Sequence, residues 1–286
     1  MCFCSPNSRL LNRLHDGVSD SRIFYTDLRG NFISEAYMSR SIDAMILAAG
    51  HGTRLRPLTD SIPKALVEVG NVPMLERVAR QLIAAGATRL IVNTHYLGDK
   101  VRAFIESDPI PGVEWLLSEE KEEVLDTGGG LLGAQSLFAG DRPFFLHNVD
   151  ILCDTDLQEM YKAACATGAI ATLAVMERES SRYLLFDENG LLGHGNEMKG
   201  TERRVREPVG NAERLGFCGI HVIAPRIFET IIENGVFSII TLYMRLAAEG
   251  ENIRPWRIDQ ARWMDIGTPE KLAEANREWR NVGEVG

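Results

Sequence analysis

The sequence predicts an α/β protein with a Rossmann-like, mostly parallel mixed sheet and helices on both faces. Apolar runs of strand length alternate with helical apolar spacing from residue 43 to about residue 176. A glycine-rich turn directly follows the first of these runs. After about residue 177 the alternation gives way to hairpin signals, so we expect an antiparallel extension of the sheet.

The predicted sheet opens with a βαβ unit. The apolar run 44–49 ends at glycines and has the length of a buried parallel strand. Gly86 ends the helix that follows, and a second strand is predicted at 90–94. The apolar face of this helix has the spacing i, i+3, i+4, i+7 and consists of Leu75, Val78, Ala79 and Leu82.

The later elements follow from the same patterns. Thr155 and Gln158 fit a capping box for a helix from Leu157. The runs 183–186 and 191–194 flank an Asn-Gly pair, which is a strong hairpin signal. Further strands are predicted at 113–117, 144–146, 170–176, 217–223 and 253–258. Further helices are predicted around 97–105, near Pro225, near Ser238 and from Pro269.

Composition excludes several classes of protein. Lys plus Arg number 31 against 40 for Asp plus Glu, a formal charge of -9, so no nucleic-acid partner is expected. No apolar run approaches the roughly 18 residues of a membrane span, and the N-terminus lacks the apolar stretch of a signal peptide. The five cysteines have no paired C-x-x-C spacing and are expected to be reduced thiols. These features predict a cytoplasmic protein without a membrane partner.

Residues 1–42 differ from the rest of the chain in composition and in hydrophobic pattern. Asn, Ser, Arg and Asp are scattered there without a period, and apolar residues come in ones and twos. Such a segment buries little apolar surface. We therefore expect a poorly structured N-terminal extension, followed by one α/β domain over 43–286.

The turn after the first strand is the first candidate site, and it spans residues 47 to 59. Gly50 and Gly52 let the backbone approach a ligand and present N–H groups to phosphate oxygens. Arg54, Arg56 and Lys64 add cations that suit a nucleoside triphosphate tail. The alternative is that these cations form an ordinary solvated surface.

Two other phosphate-binding loops do not fit this turn. The dinucleotide fingerprint requires a third glycine where Leu55 stands, so a nicotinamide-dependent oxidoreductase is excluded. A Walker A loop requires Gly-Lys-Ser/Thr after a four-residue gap, which is absent here.

The turn resembles the signature of the sugar-1-phosphate nucleotidyltransferases, the nucleotide-sugar pyrophosphorylases. The matching residues have the order Leu-Ala-Ala-Gly-x-Gly-Thr-Arg-Leu-x-Pro-Leu-Thr, followed by Pro-Lys-x-Leu-Val. Asn148-Val149-Asp150 is similar to the family's Asn-Gly-Asp-like turn, with Val149 replacing the usual glycine. The stretch from Trp263 to Thr268 is similar to its Trp-x-Asp-x-Gly-Thr. The resemblance covers residues 43 to 280 and implies that the antiparallel extension binds a sugar.

Asp150 and Asp265 are the candidate metal ligands. Asp150 follows a buried strand, at the edge of the sheet where open α/β folds bind ligands. Asp265 lies just before a helix start at Thr268-Pro269. Two carboxylates together with substrate phosphates suit Mg2+, so Mg2+ is the expected cofactor.

The resemblance also implies roles for the first loop. Arg54 would bind the pyrophosphate and Lys64 would bridge the reacting phosphates, so both join the two aspartates as catalytic residues. The nucleotide would be positioned by Leu47, Ala48, Ala49, Gly50, Gly52 and Thr53.

A second glycine run, from Asp126 to Gly130, is expected to precede a helix beginning near Leu131. In the family this position lies over the nucleobase, which implies that Gly129 contacts the nucleotide. The Thr-Gly-Gly-Gly form is similar to that of N-acetylmuramate 1-phosphate uridylyltransferases, whereas mannose-1-phosphate guanylyltransferases tend to have Thr-Ala-Gly. The resemblance therefore favours uridine. A flexible turn without base contact is the alternative.

The candidate sugar-binding residues are Glu197 and Gly219. Glu197 lies one residue away from the place of the family's Glu-Lys-Pro, and a solvated charged turn is an equal alternative. Gly219 stands in a strand otherwise built for packing and can mark close backbone approach to the sugar. Three histidines, His51, His147 and His221, are expected to be structural, because attack by an ionised phosphate needs no base.

The resemblance implies that a nucleoside triphosphate, with UTP favoured, reacts with a sugar 1-phosphate to give a nucleotide sugar and pyrophosphate. The partners are therefore these two small molecules, and homo-oligomerisation is left open. The alternatives are a mannose-1-phosphate guanylyltransferase-type enzyme and a non-catalytic regulatory subunit that binds a nucleotide sugar. Retention of Lys64, Asp150 and Asp265 argues against the regulatory subunit.

Overall fold

The computed structural model describes residues 42–279, together with two short strands before them. Contacts between Cα atoms divide the chain into two units, Met1–Ser41 and Ile42–Gly286. In the first unit, β1 (Tyr25–Thr26) pairs with β2 (Phe32–Ile33) in antiparallel fashion. The remainder of the predicted extension before residue 42 lies outside the described residues.

The second unit contains fourteen of the strands and all of the α-helices described here. The strands are β3 (Ile42–Leu47), β4 (Glu68–Val69), β5 (Val72–Pro73), β6 (Ala87–Thr94), β7 (Glu114–Glu119), β8 (Phe144–Asn148), β9 (Ile151–Cys153), β10 (Ala171–Met176), β11 (Arg182–Asp187), β12 (Gly190–Asn196), β13 (Thr201–Arg204), β14 (Glu213–Ile223), β15 (Ile253–Arg257) and β16 (Trp263–Asp265). The helices are α1 (Met74–Ala84), α2 (Gly98–Glu106), α3 (Asp126–Gly133), α4 (Leu157–Thr167), α5 (Ile227–Thr230), α6 (Ile239–Ala248) and α7 (Pro269–Glu278).

The large sheet has the strand order β13-β12-β11-β14-β8-β3-β6-β7, and β10 pairs with both β14 and β15. Strands β8, β3, β6 and β7 run parallel to their neighbours in this group. Strands β14, β11, β12 and β13 are antiparallel. The predicted Rossmann-like mixed sheet with an antiparallel extension is confirmed: the parallel strands run from β8 to the β7 edge, and the antiparallel strands run from β14 to the β13 edge.

Helices cover both faces of the sheet because side chains alternate along each central strand. Ala44 and Ile46 of β3 belong to a buried cluster that includes α1 and α4. Met45, between them, belongs to a second cluster that includes α3 and α6. The central strands are thus buried on both faces, which explains their nearly continuous apolar sequence.

Two helix starts differ from the sequence-based expectation. Asp156, rather than Thr155, is the N-cap of α4, and its carboxylate accepts a hydrogen bond from the Glu159 amide at 3.0 Å. Helix α3 begins at Asp126 instead of near Leu131, because its glycines lie inside the helix. Within the part of the chain that the structure describes, no helix is long and apolar enough to cross a bilayer.

Candidate active site

An open cleft of about 210 Å³ lies at the carboxyl ends of the parallel strands. The chain leaves β3 toward β6 and β7 and then returns to β8 on the opposite side of β3. Such a reversal of strand order opens a crevice for ligands in α/β sheets. The cleft is lined by Leu47, Ala48, Ala49, Gly50, Lys64, Asn93, Glu120, Val124, Asp126, Thr127, Asn148, Val149 and Asp150.

The glycine-rich turn is folded tightly against the segment that carries Lys64. Gly52 has a φ of 62°, in the left-handed region that favours glycine. A Cβ atom at Gly52 would lie 3.0 Å from Thr59 Cγ2 and 3.3 Å from Lys64 Cβ. The Thr59 hydroxyl donates to the Gly52 carbonyl at 2.8 Å. Gly52 therefore permits both the left-handed turn and the close approach of the next segment, which places Lys64 beside the loop.

Lys64 and Asp150 form an ion pair at the cleft. The Lys64 ammonium donates a hydrogen bond to Asp150 Oδ2, and the two side chains are 12% and 20% exposed. Lys64 is the first residue of a short 3-10 helix, and Pro63, directly before it, has an extended backbone conformation. The structure thus brings together two of the four predicted catalytic residues.

The turn before Asp150 accommodates Val149 without strain. Val149 is absent from the residues with positive φ, so its backbone needs no glycine. Its amide donates to the Leu47 carbonyl at 3.1 Å, and its side chain is buried in the cluster that includes α1. The departure from the family's glycine therefore leaves Asp150 at the strand end.

Asp265 is placed next to Asp150 by a two-stranded pairing that the sequence did not reveal. Strands β9 and β16 are antiparallel, with Asp265 opposite Ile151. The amide of Ile266 donates to the Asp150 carbonyl at 3.0 Å. The backbones that carry the two predicted metal ligands are thus directly hydrogen-bonded.

Cations surround Asp265. Its Oδ2 accepts a hydrogen bond from the Lys271 ammonium, and its Oδ1 accepts one from the Gly267 amide at 3.1 Å. Burial alone would raise the pKa of this carboxyl, but Lys271, the Gly267 amide and the Arg54 charge together lower it below its ordinary value. Arg54 is exposed, and its Nη2 would lie 2.7 Å from a Cβ at Gly267. Sequence reasoning did not identify Lys271.

The two aspartates have donor chemistry that fits a hard divalent cation. Each supplies an anionic oxygen from one of two adjacent backbone segments. Among the described residues, no group of three or more His, Cys, Asp or Glu is placed to hold a metal ion. A cation bound here would complete its coordination with substrate phosphate and water, as Mg2+ commonly does.

The second glycine run packs against protein at its Gly128 and Gly129 positions. Their amides donate to the Phe237 carbonyl at 2.9 and 3.2 Å. A Cβ at Gly128 would lie 2.3 Å from the Phe237 ring, and one at Gly129 would lie 2.4 Å from the Gly235 carbonyl oxygen. Close packing therefore accounts for both glycines, and contact of Gly129 with a nucleotide stays a prediction. The residues of this segment that line the cleft are Val124, Asp126 and Thr127.

A buried polar network joins the first loop to the start of α3. Asn93 Oδ1 accepts a hydrogen bond from the Ala48 amide at 2.7 Å, and its Nδ2 donates to Glu120 Oε1 at 2.6 Å. Glu120 Oε2 accepts from the Leu125 amide at 2.8 Å. No sequence pattern marks Asn93 or Glu120 as a site residue, because Asn93 lies near the end of one apolar strand and Glu120 directly follows another.

The two predicted sugar residues differ in position. Gly219 has a φ of 75°, and a Cβ there would lie 2.8 Å from Asn148 Nδ2, so Gly219 borders the cleft residue Asn148. Glu197 is exposed in the short 3-10 turn between β12 and β13 and does not line the cleft. Its sugar-binding role stays a prediction.

Two of the three histidines are buried between packed strands and helices. Burial lowers the pKa of His147 to about 4 and that of His221 to about 3. His147 Nδ1 contacts the Asn148 carbonyl at 2.8 Å, and His221 Nδ1 contacts the Tyr243 hydroxyl at 2.9 Å. His51 is exposed and contacts the rings of His95 and Tyr96.

Sequence comparison finds sugar-phosphate nucleotidyltransferases among the relatives of this chain. N-acetylmuramate alpha-1-phosphate uridylyltransferase of Caulobacter vibrioides is 33% identical over 243 residues, which are 82% of this chain and 96% of the relative. The catalytic subunit beta of mannose-1-phosphate guanylyltransferase from Drosophila melanogaster is 32% identical, over 79% of this chain but only 60% of the relative.

Solved structures show the same fold. UTP-bound UGPase from Acinetobacter baumannii has a TM-score of 0.67 and 20% identity, covering 84% of this chain and 93% of that one. HddC from Yersinia pseudotuberculosis complexed with GMP-PN has a TM-score of 0.65 and 21% identity, covering 83% and 99%. The family model described as Nucleotidyl transferase matches residues 43–282. The resemblance found in the sequence is thereby confirmed, and the chain belongs to the nucleotidyl transferase family.

Proposed function

We propose that this protein transfers a uridylyl group from UTP to a sugar 1-phosphate and releases pyrophosphate. One arrangement carries the proposal: the Lys64–Asp150 ion pair lies beside the glycine-rich turn, and the amide of Ile266, the residue after Asp265, donates a hydrogen bond to the Asp150 carbonyl. The glycine-rich turn, the Lys64 cation and the Asp150 carboxylate thus line the cleft, and Asp265 is carried by the segment that pairs with the strand after Asp150.

The reaction requires placement and charge stabilisation rather than a base. An oxygen of the sugar phosphate forms a bond to the α-phosphorus, and the bond from that phosphorus to the β-phosphate bridging oxygen breaks. Lys64, which is only 12% exposed, neutralises charge on the transferring group. Arg54 is exposed next to Gly267, where it can bind the departing pyrophosphate.

Asp150 and Asp265 would hold Mg2+ in this proposal. The ion would neutralise phosphate charge when bound. Lys64 and Lys271 balance the two carboxylates in the structure described here. The protein contribution is therefore a pair of anionic ligands whose backbones are fixed relative to each other.

The choice of uridine over guanosine rests on the relatives. The uridylyltransferase from Caulobacter vibrioides is matched over nearly its whole length, whereas the guanylyltransferase subunit extends well beyond the match. Thr127 lines the cleft, but its hydroxyl already accepts a hydrogen bond from the Ile239 amide at 2.9 Å. Its side chain therefore gives little information on which base is bound. Guanylyl transfer to mannose 1-phosphate is the second candidate.

The first experiment is a matrix of reactions with the purified protein. A panel of α-labelled nucleoside triphosphates that includes UTP and GTP is combined with N-acetylmuramate, N-acetylglucosamine, glucose and mannose 1-phosphates. The labelled nucleotide sugar and the released pyrophosphate are both measured. Release of pyrophosphate dependent on both substrates, greatest with UTP, supports the proposal. Greatest release with GTP would select the guanylyl alternative. Binding of a nucleotide sugar without pyrophosphate release in any combination would identify a regulatory subunit instead.

A further inference from the structure

Lys271 is a cation in the first turn of α7, and its ammonium group donates a hydrogen bond to Asp265 Oδ2. The Lys271 amide donates to the hydroxyl of Thr268, the N-cap of this helix, at 3.4 Å. The positive end of the helix dipole disfavours a cation in the first turn, so Lys271 requires an anionic partner at this position. That partner is one of the two predicted metal ligands.

The ammonium of Lys271 and a divalent cation would use the same carboxylate. Asp265 Oδ1 accepts a hydrogen bond from the Gly267 amide at 3.1 Å, and Oδ2 accepts from Lys271. Two cations in contact with one carboxylate repel each other strongly in a partly buried site. The lysine and the metal ion therefore compete for Asp265.

The two lysines of the site differ in how easily they can be displaced. Lys64, which pairs with Asp150, is 12% exposed, whereas Lys271 is 43% exposed. A partly exposed ion pair is weak, because water screens it and both side chains lose conformational freedom. The ammonium of a lysine is also carried on a flexible four-carbon stem. Lys271 can therefore leave Asp265 without burying an unpaired charge, whereas Lys64 is enclosed in the cleft.

The glycine-rich turn adjoins this ion pair through Arg54. A Cβ at Gly267 would lie 2.7 Å from Arg54 Nη2 and 2.8 Å from Asp265 Oδ1. An ammonium group that leaves Asp265 is thus beside the turn proposed to bind phosphate. The phosphates of a nucleoside triphosphate offer several anionic oxygens, which form strong charge-assisted hydrogen bonds with an ammonium group.

We infer that a divalent cation displaces Lys271 from Asp265 and that the displaced ammonium then binds the triphosphate. The inference rests on the metal and triphosphate site of the proposed function, and it adds a phosphate-binding residue that exchanges one anionic partner for another. Binding of the cation releases the ammonium, and the phosphates receive it. Lys271 therefore opposes cation binding in the free protein and favours binding of the triphosphate together with the cation.

Binding of Mn2+ to the nucleotide-free protein tests the displacement. The electron paramagnetic resonance signal measures the free ion, and Mn2+ is the probe. Lys271→Met removes the competing cation and should tighten Mn2+ binding about threefold. Lys271→Arg keeps a cation in the first turn of α7 and should bind Mn2+ more like the wild type. Lys162→Met, at an exposed lysine that pairs with Glu159, is the control and should leave the affinity unchanged.

Binding of the triphosphate tests the second step. The ligand is the triphosphate that gives the most product in the reaction matrix, which is UTP in our proposal, and calorimetry at saturating Mg2+ gives its Kd. Lys271→Met should weaken this binding about tenfold, because a charge-assisted hydrogen bond is lost. Lys271→Arg should retain most of the affinity, and Lys162→Met should match the wild type.

Shifts of opposite sign in Lys271→Met, tighter for Mn2+ and weaker for the triphosphate, are the result expected. Weaker binding of both ligands with a lowered melting temperature would overturn the inference and show that Lys271 only supports the fold. Unchanged Mn2+ affinity with weaker triphosphate binding would overturn it as well, since Lys271 would then be a phosphate contact that never competes with the cation. Unchanged triphosphate affinity would overturn the transfer of the ammonium to phosphate.

These measurements need no turnover, so they separate the inference from the proposed function. Opposite shifts in a protein that releases no pyrophosphate with any acceptor would overturn the proposed reaction and leave the exchange of Lys271 standing. Turnover by the wild-type protein, together with unchanged affinities in Lys271→Met, would overturn the exchange alone.

Discussion

The ammonium group of Lys64 is hydrogen-bonded to Oδ2 of Asp150, where two elements far apart in sequence meet at the edge of the nucleotide cleft. The pair keeps a cation in a largely buried position without a substrate. A preorganised charge of this kind stabilises a transition state without reorganising.

Lys64→Met should therefore lower kcat by roughly 10² or more, which is the effect of losing one preorganised electrostatic group. Lys162→Met, at an exposed lysine that pairs with Glu159, is the control and should leave kcat unchanged. Steady-state kinetics at saturating substrate concentrations give kcat for both variants and for the wild type. A change limited to KM would show that Lys64 only binds the substrate.

Asp150→Asn and Asp265→Asn should each remove most of the turnover while the fold persists, because each loses one anionic metal ligand. Binding of Mn2+ as a probe ion, measured by its electron paramagnetic resonance signal, should weaken in both variants. Asp99→Asn, at an exposed position of α2, is the control. Activity within threefold of the wild type at saturating Mg2+ would contradict the two-carboxylate site.

Glu120→Ala should raise KM for the nucleoside triphosphate and lower stability by about 1 to 3 kcal/mol, because the Asn93 amide and the Leu125 amide lose a buried acceptor. Glu119→Ala is a matched control, since this neighbour is exposed and pairs with Arg102. Denaturant unfolding and kinetics are measured for both. Identical behaviour of the two variants would show that the network does not position the loop.

Gly129→Ala should destabilise the protein strongly, because its new methyl group would lie 2.4 Å from the Gly235 carbonyl oxygen. Gly133→Ala, in the same helix, should be neutral or stabilising by up to about 1 kcal/mol, since its methyl group meets only Leu125 Cδ1, at 3.7 Å. Thermal unfolding compares them. Equal stability of the two would mean that the segment around Gly235 moves away without cost.

Stability should decrease as the pH falls below about 6.5, the ordinary pKa of histidine in an unfolded chain. Burial lowers the pKa of His147 to about 4 and of His221 to about 3, so unfolding takes up protons in the window between these values and 6.5. His221→Gln keeps an acceptor for Tyr243 and should flatten the pH dependence of the melting temperature. His51→Gln, at an exposed histidine, should leave it unchanged.

The parts of the fold that were predictable are those encoded locally. The apolar run that forms β3 and the spacing of Leu75, Val78 and Leu82 in α1 each contain their own period. Helix α3 was placed too late because a glycine run normally disfavours helix. Packing against Phe237 and Gly235, segments distant in sequence, overrides that local preference here.

The site was predictable where it carries a motif. Motifs identify Lys64 and Asp150, and the structure places both in the cleft. Asn93, Glu120 and Lys271 act through tertiary partners and have no characteristic spacing, so no local pattern marks them.

The pairing of β9 with β16 determines when, during synthesis and folding, Asp265 joins the site. The three residues of β16 complete the strand beside Asp150 only after nearly all of the intervening sheet has been synthesised. A contact of such high sequence separation closes late and slowly. Catalytic activity would therefore report on completed folding: a nascent or truncated chain that lacks β16 would present the glycine loop and Lys64, yet have only one of the two carboxylates.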